Sequence, residues 1–214
     1  MKVVLLHAFP LDERTWEPQL EVLGDEDVYV PNFYDLGGNS VDGWAEHVLE
    51  RVDGGLVAVG ASLGGYVALA MARAAPDRVK SLLLAGARAA ADPPERRAAR
   101  EEMIRVVQAE GIEGWNRDFS PPGPEDRTVD ELVRGIQALR DRRDATDVVA
   151  GFTGPLTVVV GDQDAILPVD EARQIAESAP DARFEVVEGA GHVVNVDAPE
   201  RFNEILRALL NRAG

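Results

Sequence analysis

Leu56-Val57-Ala58-Val59-Gly60-Ala61-Ser62-Leu63-Gly64-Gly65 joins a short apolar run to a G-x-S-x-G turn, and the turn leads into a helical pattern over 63–75. An unbroken apolar run from Leu56 to Val59 suits a strand covered on both faces. The glycines flanking Ser62 let the chain reverse sharply, so the serine projects from a strained crest. The helix N-terminus beneath it favours developing negative charge. Two readings of Ser62 follow: a nucleophile, or a tight turn whose serine caps the helix.

The rest of the chain repeats the strand–helix theme. Runs of the same kind fall at Val3–Leu6, Val28–Val30, Val79–Leu84, Leu156–Val160 and Phe184–Val187. Amphipathic segments lie near 41–52, 168–178 and 198–211. This alternation predicts an α/β fold built on a parallel sheet with right-handed crossovers. Asp197-Ala198-Pro199-Glu200 predicts the start of the last helix, with Asp197 as N-cap. Phe202, Leu206, Leu209 and Leu210 form its apolar stripe. One segment, 88–150, breaks the theme. It is rich in Ala, Arg and Glu, with helix openings at Asp92-Pro93-Pro94-Glu95 and Thr128-Val129-Asp130-Glu131. Ser120-Pro121-Pro122-Gly123-Pro124 interrupts it. The expectation is a single domain over 1–214 with 88–150 inserted as a helical lid between the fourth and fifth strands.

Composition narrows the function. A length of 214 residues suits one domain with a sizeable core. The 22 basic residues against 38 acidic ones give a formal net charge of −16, a surface that repels phosphate backbones and anionic lipid. No nucleic-acid or membrane partner is expected. Absence of cysteine removes disulfides, thiolate catalysis and cysteine-based zinc sites. The apolar run after Met1 is too short for a signal peptide, and no stretch reaches the roughly 18 residues of a membrane span. The cytoplasm is the expected location.

The residues that could serve Ser62 stand after strands, at the sheet end where open α/β sheets place their sites. His192, in Gly189-Ala190-Gly191-His192, follows the last strand; histidine is the usual general base near neutrality. An exposed loop histidine is the plainer alternative. Asp162 and Asp164 both follow the fifth strand in Gly161-Asp162-Gln163-Asp164, and either could orient the histidine. His7-Ala8-Phe9-Pro10 ends the first strand. The Phe9 and Leu63 N–H groups are placed to serve as oxyanion donors. His7 itself reads as a structural hydrogen-bonder, and His47 as a surface or packing residue on a helix.

Together these segments resemble the α/β-hydrolase superfamily, in particular its small esterase and enol-lactonase members. The resemblance is carried by 7–12, by Asp35-Leu36-Gly37-Gly38-Asn39-Ser40, by 60–65, by 161–164 with Pro168, and by 189–192 followed by 197–200. It spans nearly the whole chain outside 88–150. It implies that Asp164, the last acid of the G-x-x-D pattern, is the triad acid. Ala8 stands where the family usually has glycine, and its methyl is expected beside the oxyanion hole. The chain starts at the strand before His7, so a sheet trimmed to six parallel strands is expected, with Val28–Val30 at an edge.

The implied function is a serine hydrolase cleaving small carboxylic esters through an acyl-enzyme, with no cofactor and no metal. Lactonase, carbon–carbon bond hydrolase and perhydrolase chemistry would use the same triad. A non-catalytic ligand receptor on the same scaffold is the alternative from another class. Trp115, Phe119, Met103 and Leu167 are the expected pocket residues, although Met103 and Trp115 could equally pin helices together. A small-molecule ester is the expected partner, and the protein is expected to be a monomer or homodimer.

Overall fold

The computed structural model describes residues 1–119 and 121–213, so Ser120 of the predicted interruption lies outside the described residues. In chain order, β1 (Lys2–Leu6) leads through a 3₁₀ turn to α1 (Glu17–Leu23), followed by β2 (Val28–Tyr29) and α2 (Val41–Arg51). Next come β3 (Leu56–Ala61), α3 (Leu63–Ala74) and β4 (Val79–Ala85). Three helices follow: α4 (Pro94–Asp118), interrupted at Gly111, then α5 (Val129–Asp141) and α6 (Thr146–Gly151). The chain closes with β5 (Leu156–Gly161), α7 (Val169–Glu177), β6 (Ala182–Val187), α8 (Val194–Asp197) and α9 (Pro199–Ala213).

The six strands form one parallel sheet in the order β2-β1-β3-β4-β5-β6, with the short β2 at one edge as expected. This is the α/β-hydrolase arrangement, a six-stranded parallel sheet flanked by helices. Side chains alternate between faces along each strand. Val4, Leu6, Leu56, Ala58, Leu82 and Leu84 point into the core shared with α2, α3 and the helices of 94–151. Val3, Leu5, Val57, Val59, Leu83 and Ala85 point into the core with Trp16, Phe202, Leu206 and Leu209. Both faces are therefore dry, which is why the strands read as unbroken apolar runs. The Ala8 methyl belongs to this second core, and its residue is 1% exposed.

One helix start differs from expectation. Asp197 does not cap α9; it ends α8, and its carboxylate accepts from the Gly191 N–H at 2.9 Å. A four-residue helix takes up 194–197, so α9 begins one residue later, after Ala198. The stretch 92–95 opens α4 as expected, with Pro93 at the cap position and Asp92 buried against arginines. The Thr128–Glu131 capping box forms as predicted.

His7 is a buried structural residue. Its Nδ1–H donates to the Ala8 carbonyl at 3.0 Å, and its Nε2 accepts from the Phe33 N–H at 3.1 Å. Burial lowers its pKa to about 4, against the opposing hydrogen bond to Ala8. The unfolded chain therefore binds more protons than the folded one between about pH 4 and 6.5. Stability from this group is complete above that window and is lost as pH falls through it, by about 3 kcal/mol. The urea midpoint should drop across this range, and the slope should flatten in His7→Asn. An unchanged slope in that variant would remove His7 as the cause.

Candidate active site

Ser62 lies between β3 and α3 with φ 48° and ψ −109°, the one described non-glycine residue at positive φ. Such a conformation costs on the order of 1–3 kcal/mol and persists only when its surroundings enforce it. Here they do. A Cβ on Gly60 would lie 2.3 Å from the Gly64 backbone, and one on Gly64 would lie 2.0 Å from the Leu6 carbonyl oxygen. Only glycine at both places lets β3, the turn and α3 pack this closely against β1. The capping-serine reading fails, because the Ser62 side chain makes no cap hydrogen bond.

Instead the hydroxyl faces His192. The Ser62 Oγ lies 2.9 Å from His192 Nε2. His192 Nδ1 lies 2.9 Å from Asp164 Oδ2 and 3.0 Å from Oδ1. A carboxylate only accepts, so Nδ1 carries the proton and Nε2 of the neutral ring accepts from the Ser62 hydroxyl. The His192 side chain is 10% exposed and that of Asp164 fully buried. Asp164 is held further by the Ile166 and Leu167 N–H groups, which donate to its Oδ1 at 2.7 and 2.9 Å. Burial pushes this carboxyl up, but His192 and the two amides outweigh it and hold the group below the usual carboxylate range. Asp162 is exposed on the other side of the turn and accepts from the Gly189 N–H at 2.8 Å. The structure thus brings Ser62, His192 and Asp164 together and leaves Asp162 out.

Phe9 and Leu63 flank the serine, from the loop after β1 and the first residue of α3. A first-turn amide has no partner within its own helix, so the Leu63 N–H is available to an oxyanion. The Phe9 ring packs edge-on against Trp115, with centroids 4.9 Å apart, and Trp115 packs on Phe119 at 5.0 Å. Gly135 of α5 makes this possible: a Cβ there would sit 2.2 Å from the Phe9 ring.

A cavity of about 390 Å³ opens beside Ser62 and His192. Of the expected pocket residues, Met103, Trp115 and Phe119 line it. Trp115 also pins its own helix, donating from Nε1 to the Pro121 carbonyl at 2.8 Å. Leu167 does not line it. The chain turns after Asp164 so that Ile166 faces the cavity, while Leu167 points into the core and is fully buried. The sequence reading missed Tyr66, Arg88, Arg96 and Arg100 on the wall. The spacing of Arg96, Arg100 and Met103 on one helix face was the available signal.

One buried ion pair fastens the 88–150 segment to the loop after β1, and a second ties the segment together internally. Arg127 donates to Asp12 at 2.6 Å and to the Pro10 carbonyl at 3.2 Å. Arg142 donates to Asp92 at 2.8 Å and to the Leu139 carbonyl at 2.7 Å. Among the described residues, no three His, Asp or Glu side chains gather as metal ligands, and no helix is long and apolar enough to cross a membrane.

The chain is similar to known proteins along most of its length. A protein from Azorhizobium caulinodans named "Putative carbamate hydrolase RutD" is 26% identical over 89% of this chain and 84% of its own length. An esterase from Mycobacterium tuberculosis is 24% identical over 98% of this chain and 83% of its own. Among solved structures, a thermophilic esterase from Thermogutta terrifontis, with malate bound, superposes with a TM-score of 0.86 at 28% identity. It covers all of this chain and 90% of that one. The model of the alpha/beta hydrolase family matches residues 3–205, and the chain belongs to that family.

Proposed function

We propose that the protein is a serine hydrolase of small carboxylic esters, in which Ser62 is the nucleophile, His192 the general base and Asp164 the residue that orients it. The observation that carries this reading is the unbroken hydrogen-bond line from Asp164 through His192 to Ser62, at 2.9 Å for each of its two steps. His192 takes the hydroxyl proton as Ser62 Oγ attacks the ester carbonyl. The Phe9 and Leu63 N–H groups hold the oxyanion, each worth about 3–4 kcal/mol in the transition state. The imidazolium then protonates the leaving alcohol. Water, deprotonated by the same ring, releases the acid and restores the serine. Residues 88–150 act as the lid over this site within a single domain, and Met103, Trp115 and Phe119 shape the pocket under it.

A fluorophosphonate probe tests the reading directly. Label should appear on the Ser62 peptide and be absent from Ser62→Ala. An unlabelled native protein would identify a ligand-binding scaffold instead. A carbamate is the second reading, favoured by the name of the Azorhizobium relative. The same steps would cleave it, and comparing phenyl acetate with phenyl carbamate separates the two by their kcat/KM ratio.

A further inference from the structure

The cavity beside Ser62 has a cationic wall in a chain whose formal net charge is −16. Arg88, Arg96 and Arg100 all line it. Arg96, Arg100 and Met103 share one face of α4, at i, i+4 and i+7, so a single helix face brings both charge and an apolar side chain to the cavity. Arg88 comes from the segment after β4, where its Nε donates to Glu171 at 2.7 Å and a second N–H donates to the Ile166 carbonyl. Arg100 donates to Asp92 at 3.3 Å.

These cations are short of counter-charge. The fully buried Asp92 carboxylate is shared by Arg142 at 2.8 Å, Arg100 at 3.3 Å and Arg96 at 4.0 Å. Glu171 serves Arg88. Among the described residues, these four arginines meet two carboxylates within ion-pairing range, leaving an excess of two positive charges. Asp118 also lines the cavity and shares Arg117 with Glu110, so with these three groups counted as well the excess is one positive charge. Burial lowers the Arg100 guanidinium below its ordinary value despite Asp92, the direction of a cation lacking a full partner. The Arg88 and Arg100 side chains are only 7% and 16% exposed, so water screens them poorly. Anchoring the helices accounts for Arg142, which bonds two carbonyls and Asp92, but not for Arg96 and Arg100 on the wall.

We propose that this site takes esters bearing a free carboxylate on the acyl chain, that is, monoesters of dicarboxylic acids. Arg96 and Arg100 receive the free carboxylate, the Met103–Trp115–Phe119 side receives the methylene chain, and Ser62 attacks the esterified end. This rests on the ester-hydrolase reading above. Water adds to the acyl carbon, the alcohol leaves with a proton, and the free carboxylate is unchanged.

Monoethyl adipate and ethyl hexanoate have acyl chains of matched length and differ in charge at the far end. The native protein should prefer the adipate by about tenfold or more in kcat/KM, the ratio that about 1.4 kcal/mol supplies. The preference should fall toward unity in Arg100→Gln and in the more exposed Arg96→Gln, which leaves the shorter Asp92 contacts in place. It should persist in Arg105→Gln, an exposed arginine of α4 paired with Glu102. Turnover of ethyl hexanoate without preference for adipate, or a preference untouched by both wall variants, overturns the proposal. Calorimetry on Ser62→Ala separates this from the catalytic reading. Binding of monoethyl adipate that is lost in the double variant with Arg100→Gln supports the anion site even if the native protein turns over neither ester. Absence of that binding rejects the site.

Discussion

Ser62→Ala should lower kcat for p-nitrophenyl acetate by about 10⁴–10⁶ while leaving the fold intact. The two halves of this expectation have separate causes. Removing Oγ deletes the atom that the proposed mechanism places in the acyl-enzyme, and no other described side chain hydrogen-bonds to His192 Nε2. Serine and alanine pay the same steric cost at φ 48°, since both carry a Cβ. The Ser62 side chain caps nothing, so its loss withdraws no helix-stabilising bond. The unfolding free energy from urea titration should therefore stay within about 1 kcal/mol of the native value. Retention of most of the activity would sink the nucleophile assignment.

Asp164→Asn should cost about 10⁴ in kcat, again with little change in stability. The Ile166 and Leu167 N–H groups both donate to Oδ1, so the new amide keeps its oxygen there and turns its NH₂ toward His192 Nδ1. Two donors cannot face each other. The imidazole must shift its proton to Nε2, where it opposes the Ser62 hydroxyl instead of accepting from it. Asp162→Asn is the matching control. Its carboxylate accepts from the Gly189 N–H, which an amide oxygen can also do, so kcat should move by less than about twofold. Equal losses in the two variants would mean that Asp164 acts through loop structure and not through His192.

Much of the architecture could be read along the chain because it is written in local chemistry. The strand at 56–59, the glycines beside Ser62 and the acid and histidine that follow β5 and β6 each declare their place through neighbours in sequence. The four central strands emerged from runs of Val and Leu because both faces of the sheet are covered there, whereas β2 and β6 at the edges are only partly buried. What escaped the reading depends on distant packing. Ile166 and Leu167 are adjacent and both apolar, yet one faces the cavity and the other the core, because the loop direction is set by Asp164 seizing both amides. Asp197 resembled a helix cap, but the Gly191 N–H, six residues back, claimed its carboxylate. The arginine wall appears only once α4 is laid across the end of the sheet, since nothing near Arg96 or Arg100 in sequence mentions Ser62.

Gly135 ties rate to architecture. Where its side chain would be, the ring of Phe9 sits instead, so the backbone amide beside that ring inherits its position from α5. Remodelling α5 to admit bulkier substrates would shift the amide that the proposed mechanism assigns to the oxyanion. On α4 only Trp115, packed edge-on against the Phe9 ring, shares that obligation, while Arg96, Arg100 and Met103 face the cavity. Directed evolution of this scaffold should accordingly accumulate selectivity changes at Arg96, Arg100 and Met103 and tolerate few at Gly135 or Trp115.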